Sequence, residues 1–286
     1  MIILSSIKNI CILQNPLPQK KKADKVAMFV TGSLQKIKIS FTLYKANWPE
    51  TLSGFSDIWI IGGDGTLNYF LNKYRFVHQP LAIFKAGTGN DFFWKLYGNK
   101  NMEQQLLHVL SSAPQKVDIA SCNNMLYANS AGFGFDGEIL RSMNAVRFIG
   151  GHAGYLGVVL KKIVRFKEFN FHIQAGGRTV EKKCLLVIVN NSSRTGGGFM
   201  VTPKANINDG YLDMVLCKEL PLLKRLRYLP VIEKGNHMEL PFISYSHEKE
   251  VYIRTEEIIY AQLDGELISG NEFNIQILAG YLSFRY

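Results

Sequence analysis

The sequence predicts an α/β domain with a mainly parallel sheet, followed by a β-sandwich domain. Three observations predict this. Strand-like and helix-like segments alternate through about the first 115 residues, the pattern of a sheet covered by helices. Beyond Lys116 the pattern changes to short β segments separated by Asn-Asn and Gly-Gly turns, the signature of hairpins packed as two sheets. The length of 286 residues also exceeds the usual size of one domain. With 47% of residues apolar, the chain can fill two cores and is not a disordered one. No linker rich in Pro or Ser separates the halves, so the expected domains are 1–116 and 117–286, packed closely over a cleft. The extreme C-terminus is left free to return to the first domain.

In the first domain, apolar runs at 2–14, 37–44, 58–61 and 81–85 read as strands, with helical spacing at about 22–31, 66–74, 91–96 and 102–111. The opening run is broken by Lys8 and Asn9 and has no small-residue cleavage site, so a strand is expected there rather than a signal peptide. In the second domain, segments 117–120 and 125–130 flank Cys122-Asn123-Asn124, and segments 169–175 and 180–190 flank Gly176-Gly177. Further β segments are expected at 212–217, 250–255, 258–263 and 273–278, with helices near 154–166 and 222–232.

Chemistry is most legible at Gly62-Gly63-Asp64-Gly65-Thr66-Leu67-Asn68, where a buried strand turns into a helix. Glycine lets a ligand approach the backbone closely, and the helix N-terminus attracts phosphate. Asp64 repels phosphate, so it calls either for a metal or for a hydrogen-bonded role at the turn. A nucleoside triphosphate carrying Mg²⁺ answers these demands together, which makes the first domain a nucleotide-binding one. The second loop, Ala86-Gly87-Thr88-Gly89-Asn90-Asp91, also follows a strand and precedes a helix. There Asn90 or Asp91 is a suitable N-cap, and Thr88 offers a hydroxyl to phosphate or ribose. After the first strand, Asn15-Pro16-Leu17-Pro18-Gln19 runs into Lys20-Lys21-Lys22, lysines that either neutralise phosphate or form a solvated run.

Far downstream, Asp264-Gly265-Glu266 puts two acids on a turn between strands. Phosphoryl transfer to a hydroxyl needs such a carboxylate to take the proton. The oxygen-rich stretch from Asn206 to Tyr211 suits either a Mg²⁺ ion or an ordinary Asn-Asp-Gly turn. The net charge of +10 favours an anionic partner: nucleotide, nucleic acid or membrane surface. No run reaches the ~18 apolar residues of a membrane span. Cys11, Cys122, Cys184 and Cys217 show no paired spacing and suggest thiols of a reducing cytosol. The segment from Gly132 to Gly137 spells G-x-G-x-x-G but lacks the βαβ context of a dinucleotide site. The histidines share no ligand spacing, His237 being the one worth watching.

With these residues assembled, the chain resembles the diacylglycerol kinase catalytic-domain family, in particular its soluble bacterial lipid kinases. The shared pieces run through Asn15-Pro16, the two glycine loops, Gly196-Gly197-Gly198-Phe199-Met200, Pro203-Lys204-Ala205, Asn208-Asp209-Gly210-Tyr211-Leu212-Asp213 and Asp264-Gly265-Glu266. The resemblance implies a fold like that of NAD kinase and diacylglycerol kinase, and ATP-dependent phosphorylation of a lipid hydroxyl. ATP would lie along Asn15, Pro16, Leu17, Pro18 and Gln19, along Gly62, Gly63, Asp64, Gly65, Thr66, Leu67, Asn68 and Tyr69, and at Thr88, Asn90, Asp91 and Thr42. Asp64 would hold Mg²⁺–ATP, Glu266 would be the general base, and Asp264 would sit beside it. A structural Mg²⁺ would be held by the Asp209 side chain and by the main chains of Asn206 and Tyr211. The implied partner is a lipid at the inner membrane surface, met by a cytoplasmic protein that associates transiently. Nucleic acid is not expected, and a homodimer is left open. Arg147, Phe148, Lys161, Lys162 and Arg165 are candidates for facing the membrane.

Three features depart from the family's pattern. No small glycine loop follows Asn15-Pro16, Tyr69 stands where an acid is usual, and the second-strand region around Thr42 is not clean. The alternatives are an NAD kinase, which does not call for the Asp264-Gly265-Glu266 turn, and a non-catalytic lipid- or nucleotide-binding protein of the same fold.

Overall fold

The computed structural model describes residues 7–15, 20–145 and 151–286. The expected contacts at Pro16, Leu17, Pro18 and Gln19, and those of Arg147 and Phe148, lie outside the described residues. The chain divides into two compact units, Met1–Val117 with Gly280–Tyr286, and Asp118–Ala279.

The first unit runs β1 (Asn9–Gln14), α1 (Lys20–Lys36), β2 (Ser40–Tyr44), β3 (Asp57–Gly62), α2 (Asp64–Lys73), β4 (Leu81–Lys85), α3 (Asp91–Tyr97) and α4 (Met102–Ser111). Strand β1 pairs in parallel with β2 and β3, and β3 pairs in parallel with β4. Strands β1, β3 and β4 are buried almost throughout, which is why they read as unbroken apolar runs rather than alternating ones. Edge strand β2 is only partly covered. Because these strands run the same way, the loops leaving β1, β3 and β4 emerge at one sheet edge.

Strand β5 (Pro114–Cys122) leads into the second unit, which continues through β6 (Met125–Tyr127), β7 (Ser130–Gly134), α5 (Phe135–Ala145) and α6 (Gly151–Arg165). It proceeds through β8 (Phe169–Ala175), β9 (Arg178–Asn190), β10 (Leu212–Lys218), α7 (Leu222–Glu233), β11 (Ile243–Glu248), β12 (Glu250–Leu263) and β13 (Glu266–Arg285). The ladders joining β7 to β12, and those among β8 to β11, are antiparallel. Three turns carry positive φ at both central residues: Asn123-Asn124, Gly176-Gly177 and Asp264-Gly265. That geometry matches strand twist and fixes each hairpin's register. Phe133, Phe171, Val187, Ile253 and Phe273 fill the core between the strands.

The structure corrects the element reading in places. Strand β12 is continuous where two segments were expected, with its register against β13 slipping between Arg254 and Ile259. Helix α5 was not expected, because Gly137 sits inside it. A Cβ there would lie 2.2 Å from the Tyr260 carbonyl oxygen, so the glycine serves close helix-on-strand packing.

The last residues of β13 return to the first unit, where Phe284 aligns in parallel with Leu81 of β4. There the Arg285 guanidinium pairs with the Asp57 carboxylate, with side-chain exposures of 2% and 0%, and also donates to the Ser112 carbonyl at 2.9 Å. Burial pushes the Asp57 carboxyl up, and Arg285 opposes it. Removing one partner of such a pair strands a buried charge. Arg285→Ala should therefore lower stability by about 3–5 kcal/mol in urea titrations, and adding Asp57→Asn should recover part of that loss.

Candidate active site

In the first unit the two glycine loops touch backbone to backbone. A Cβ on Gly63 would lie 2.8 Å from the Gly87 Cα, and one on Gly87 would lie 2.6 Å from the Gly63 Cα. A Cβ on Gly62 would meet the Thr66 hydroxyl at 2.3 Å. Neither loop tolerates a side chain at the contact, and hydrogen bonds close it. The Ala86 amide donates to the Gly62 carbonyl at 2.7 Å. Asn90, at φ +55°, turns its amide back on Gly87, accepting its N–H at 3.0 Å and donating to its carbonyl at 2.8 Å. The Asn15 side chain donates to the Thr66 hydroxyl at 2.6 Å. Lys22 donates to the Gly87 carbonyl at 2.9 Å, so one lysine of the basic run reaches the loops.

Asp64 caps the helix of the other loop. Its two oxygens accept the backbone N–H groups of Asp91 and Phe92, each at 3.1 Å. Asn90 holds the expected N-cap position, but its side chain makes no cap hydrogen bond; a carboxylate 27 positions upstream supplies it instead, which satisfies free donors and complements the helix dipole. Of the two roles open to Asp64, the hydrogen-bonded one accounts for its contacts. Burial pushes its carboxyl up, while the amides of Phe92 and Asp91 hold it down. Leu67 and Asn68 are buried, so ligand contact at those positions would be through the main chain. Tyr69 is exposed, its ring 5.3 Å from that of Trp48. Thr88 is exposed, and so is Thr42, in the middle of edge strand β2 and in register with Cys11.

In the second unit the acidic turn separates its two acids. Asp264, 7% exposed, accepts backbone N–H groups from Ala128, Asn129 and Ser130 at 2.6, 2.9 and 2.9 Å. Glu266 is exposed, and among the described residues no hydrogen bond or ion pair engages its carboxylate. Behind the turn, Gln262 accepts the Gly265 N–H at 2.9 Å and donates to the Ser130 hydroxyl at 3.1 Å and to Asp136 at 2.8 Å. The Ser130 hydroxyl in turn meets that of Thr195 at 2.9 Å. A Cβ on Gly132 would collide with the Asp136 carboxylate at 2.0 Å, so the G-x-G-x-x-G spelling reflects packing around α5. Asp136 and Thr195 also border an apolar cavity of about 70 Å³ lined by Ile139, Val159, Ile163 and Phe199 among others. Sequence reading missed Asp136 and Gln262; the only available signal was Gln262 standing just before the acidic turn.

The loop at 206–211 is tied by Asp209, which accepts the Tyr211 N–H at 3.0 Å, and by Asp118, which accepts the Gly210 N–H at 2.7 Å. Asn206, Asp209 and Tyr211 are all exposed. Among the described residues no group of three His, Cys, Asp or Glu side chains comes together as a metal site. Sequence reading missed Asp118, which joins the loop from β5. His237 is buried against the Val201 carbonyl at 2.9 Å, and burial lowers its pKa, as befits a structural imidazole.

Comparison with known proteins gives a consistent picture. The family described as the diacylglycerol kinase catalytic domain matches residues 9–122, and the YegS C-terminal NAD kinase beta sandwich-like domain matches residues 129–284. A diacylglycerol kinase of Mycobacterium tuberculosis is 27% identical over 220 residues, covering 74% of this chain and 71% of that one. One of Bacillus subtilis is 24% identical over 219 residues, covering 75% and 72%. The crystal structure of a diacylglycerol kinase from Bacillus anthracis has a TM-score of 0.72 at 21% identity, over 98% of this chain and 97% of that one. An NAD kinase from Archaeoglobus fulgidus, solved in complex with ATP, has a TM-score of 0.58 at 14% identity, over 97% and 93%. These two structures establish the fold, with its C-terminal β-sandwich-like domain.

Two outcomes follow from the geometry. Gly87→Ala should destabilise the first unit by about 1–3 kcal/mol, the usual result of overpacking, visible as a lowered melting temperature. For Asp136, burial raises the carboxyl from 3.8 to about 6, against the opposing Gln262 hydrogen bond. The folded chain therefore holds this proton more tightly than the unfolded chain, so stability falls as pH rises from about 4 through about 6 and levels off above. Asp136→Asn should remove that slope, gaining about 3 kcal/mol over the wild type at neutral pH in parallel denaturant titrations.

Proposed function

We propose a function from one premise: the chain belongs to the diacylglycerol kinase-like lipid kinases, the family whose two domain models match residues 9–122 and 129–284. On that premise it transfers the γ-phosphoryl group of Mg²⁺–ATP to the hydroxyl of diacylglycerol or a related lipid alcohol, with Glu266 as general base. One observation carries the assignment of the base: Asp264 is committed to three backbone amides, whereas Glu266 is exposed and unengaged among the described residues. A carboxylate already serving three donors is a poor proton acceptor, and a solvent-facing one beside it is available. Asp264 is then the positioning residue that fixes the turn.

The glycine loops fit a triphosphate. Their contact leaves no room for side chains, Lys22 brings a cation to Gly87, and α2 offers its N-terminus. Asp64 enters as the brace that holds the two loops together beside the Mg²⁺–ATP they receive. Mg²⁺ keeps waters and is shared with phosphates, so here it would arrive with the nucleotide. When bound, the ion neutralises charge on the phosphates. At the loop of Asn206, Asp209 and Tyr211, Asp118 supplies a further carboxylate that suits a structural Mg²⁺. In the reaction the lipid hydroxyl passes its proton to Glu266, its oxygen bonds to the γ-phosphorus, and the bond to the β,γ-bridging oxygen breaks to release ADP. The apolar cavity bordered by Asp136 suits the acyl end of the acceptor. The protein works on lipid at the inner membrane surface.

Glu266→Gln tests the assignment. The expected result is a fall in kcat of about 100-fold or more in lipid-dependent ADP release, with ATP affinity within about twofold of wild type. Unchanged kcat would remove Glu266 from the mechanism. ADP release that depends on NAD rather than on lipid would favour the NAD kinase alternative.

A further inference from the structure

Among the described residues, thirteen large apolar side chains are exposed, and five of them lie on α6 and α7: Leu160, Val164, Leu222, Leu223 and Leu226. Leu223 is 81% exposed, and α7 buries none of its residues fully. The positions are ordered. On α6, Leu160 and Val164 are four apart and form one exposed stripe, with Lys161 and Arg165 four apart beside it. On α7, Leu222, Leu226 and Leu223 share one exposed arc, and Arg227 and Lys224 follow it around the helix. Neighbouring faces of the same helices, with Val159 and Ile163 on α6 and Leu229 and Ile232 on α7, line the apolar cavity. Arg225 clamps the pair, donating to the carbonyls of Ile163 and Phe166 at 3.1 and 2.9 Å and pairing with Glu168.

We infer that the outer faces of α6 and α7 form a docking surface for an anionic lipid bilayer. The leucines enter the acyl boundary while Lys161, Arg165, Lys224 and Arg227 meet the headgroups. The inference rests on the lipid-kinase reading for its purpose, but its observations are independent of it. Charge selects the occupant. Helix α6 carries no acid and α7 only Glu233. The nearby Glu138 and Glu168 are already paired, with Lys162 and Arg225. Lys162 is thereby withdrawn from the expected membrane-facing set. A second copy of the chain would set basic residues against basic residues, whereas an anionic bilayer attracts each of them. Apolar side chains flanked by such cations form an interfacial helix face, and exposed apolar clusters of this kind mark binding surfaces.

The test is cosedimentation of the full chain, without ATP, with vesicles of phosphatidylcholine alone or with phosphatidylglycerol added. Wild type should bind the phosphatidylglycerol vesicles, less so at high salt. Leu223→Glu/Leu226→Glu and Lys224→Glu/Arg227→Glu should each weaken binding about tenfold or more. Both variants should keep the wild-type melting temperature and turnover on a soluble short-chain lipid alcohol, and lose turnover on the vesicle-borne one. Undiminished vesicle binding by both variants, or none by wild type, would overturn the inference. So would a wild-type dimer that Leu223→Glu/Leu226→Glu dissociates, since the face would then belong to a second copy. Failure of the Glu266 assignment would leave these binding results unchanged.

Discussion

The contact between Gly63 and Gly87 sets the geometry of everything around it in the first unit. Two main chains approach so closely that a single methyl group on either would overlap the other. Such an approach would leave polar backbone groups stranded unless something satisfied them. Asp64 and Asn90 do so from opposite directions. Asp64 reaches across to the start of α3, and Asn90 folds back on Gly87. The loops after β1, β3 and β4 thus become one hydrogen-bonded body, since Asn15 joins through Thr66. A pre-organised body of this kind is what a flexible triphosphate requires, because its own ordering is already costly.

The second unit applies related logic to its acids. Asp264 and Glu266 are two residues apart, yet their surroundings divide them. Three amides hold one in place, and solvent surrounds the other. Asp264 also sits at φ +48° in the tight turn, so its carboxylate is fixed by backbone geometry as well as by its partners. Gln262 extends this fixation, linking the turn's Gly265 amide to Asp136 at the border of the cavity. Substitutions at Asp136 or Gln262 therefore act on the turn without touching its acids.

Much of this architecture could be read from the residues, for identifiable reasons. Strands β3 and β4 were legible because burial on both faces makes them continuous apolar runs, and the Asn123-Asn124 and Gly176-Gly177 hairpins because their turns need positive φ. Helix α5 was not legible, since Gly137 lowers helix propensity and only the nearby Tyr260 backbone explains it. Among site residues, the glycines and acids stood out by type, but their partners did not. The amides that hold Asp264 come from more than 130 positions away, and Asp118 reaches the loop of Gly210 from 92 positions away. Spacing along a chain carries no trace of such pairings. The alternative that Asp64 serves as a hydrogen-bonding group was visible in the sequence, but the choice of α3 as its target was not.

The cavity under α6 and α7 bears on how the proposed acceptor lipid would be admitted. Its volume is about 70 Å³ and its lining is mostly apolar. Separation of the two helices would widen it for the acyl end of the proposed acceptor. Among the described residues α7 buries none of its own fully, and Arg225 ties it to the carbonyls of Ile163 and Phe166. In water, separation would expose the cavity-lining side chains at about 25 cal/mol per Å² of apolar surface. Against a bilayer that penalty largely vanishes, because the exposed surface meets hydrocarbon instead of water. If α6 and α7 dock as inferred, the helices that carry the exposed leucines are also the ones whose opening a membrane would make easier, so docking would favour admission of the proposed lipid.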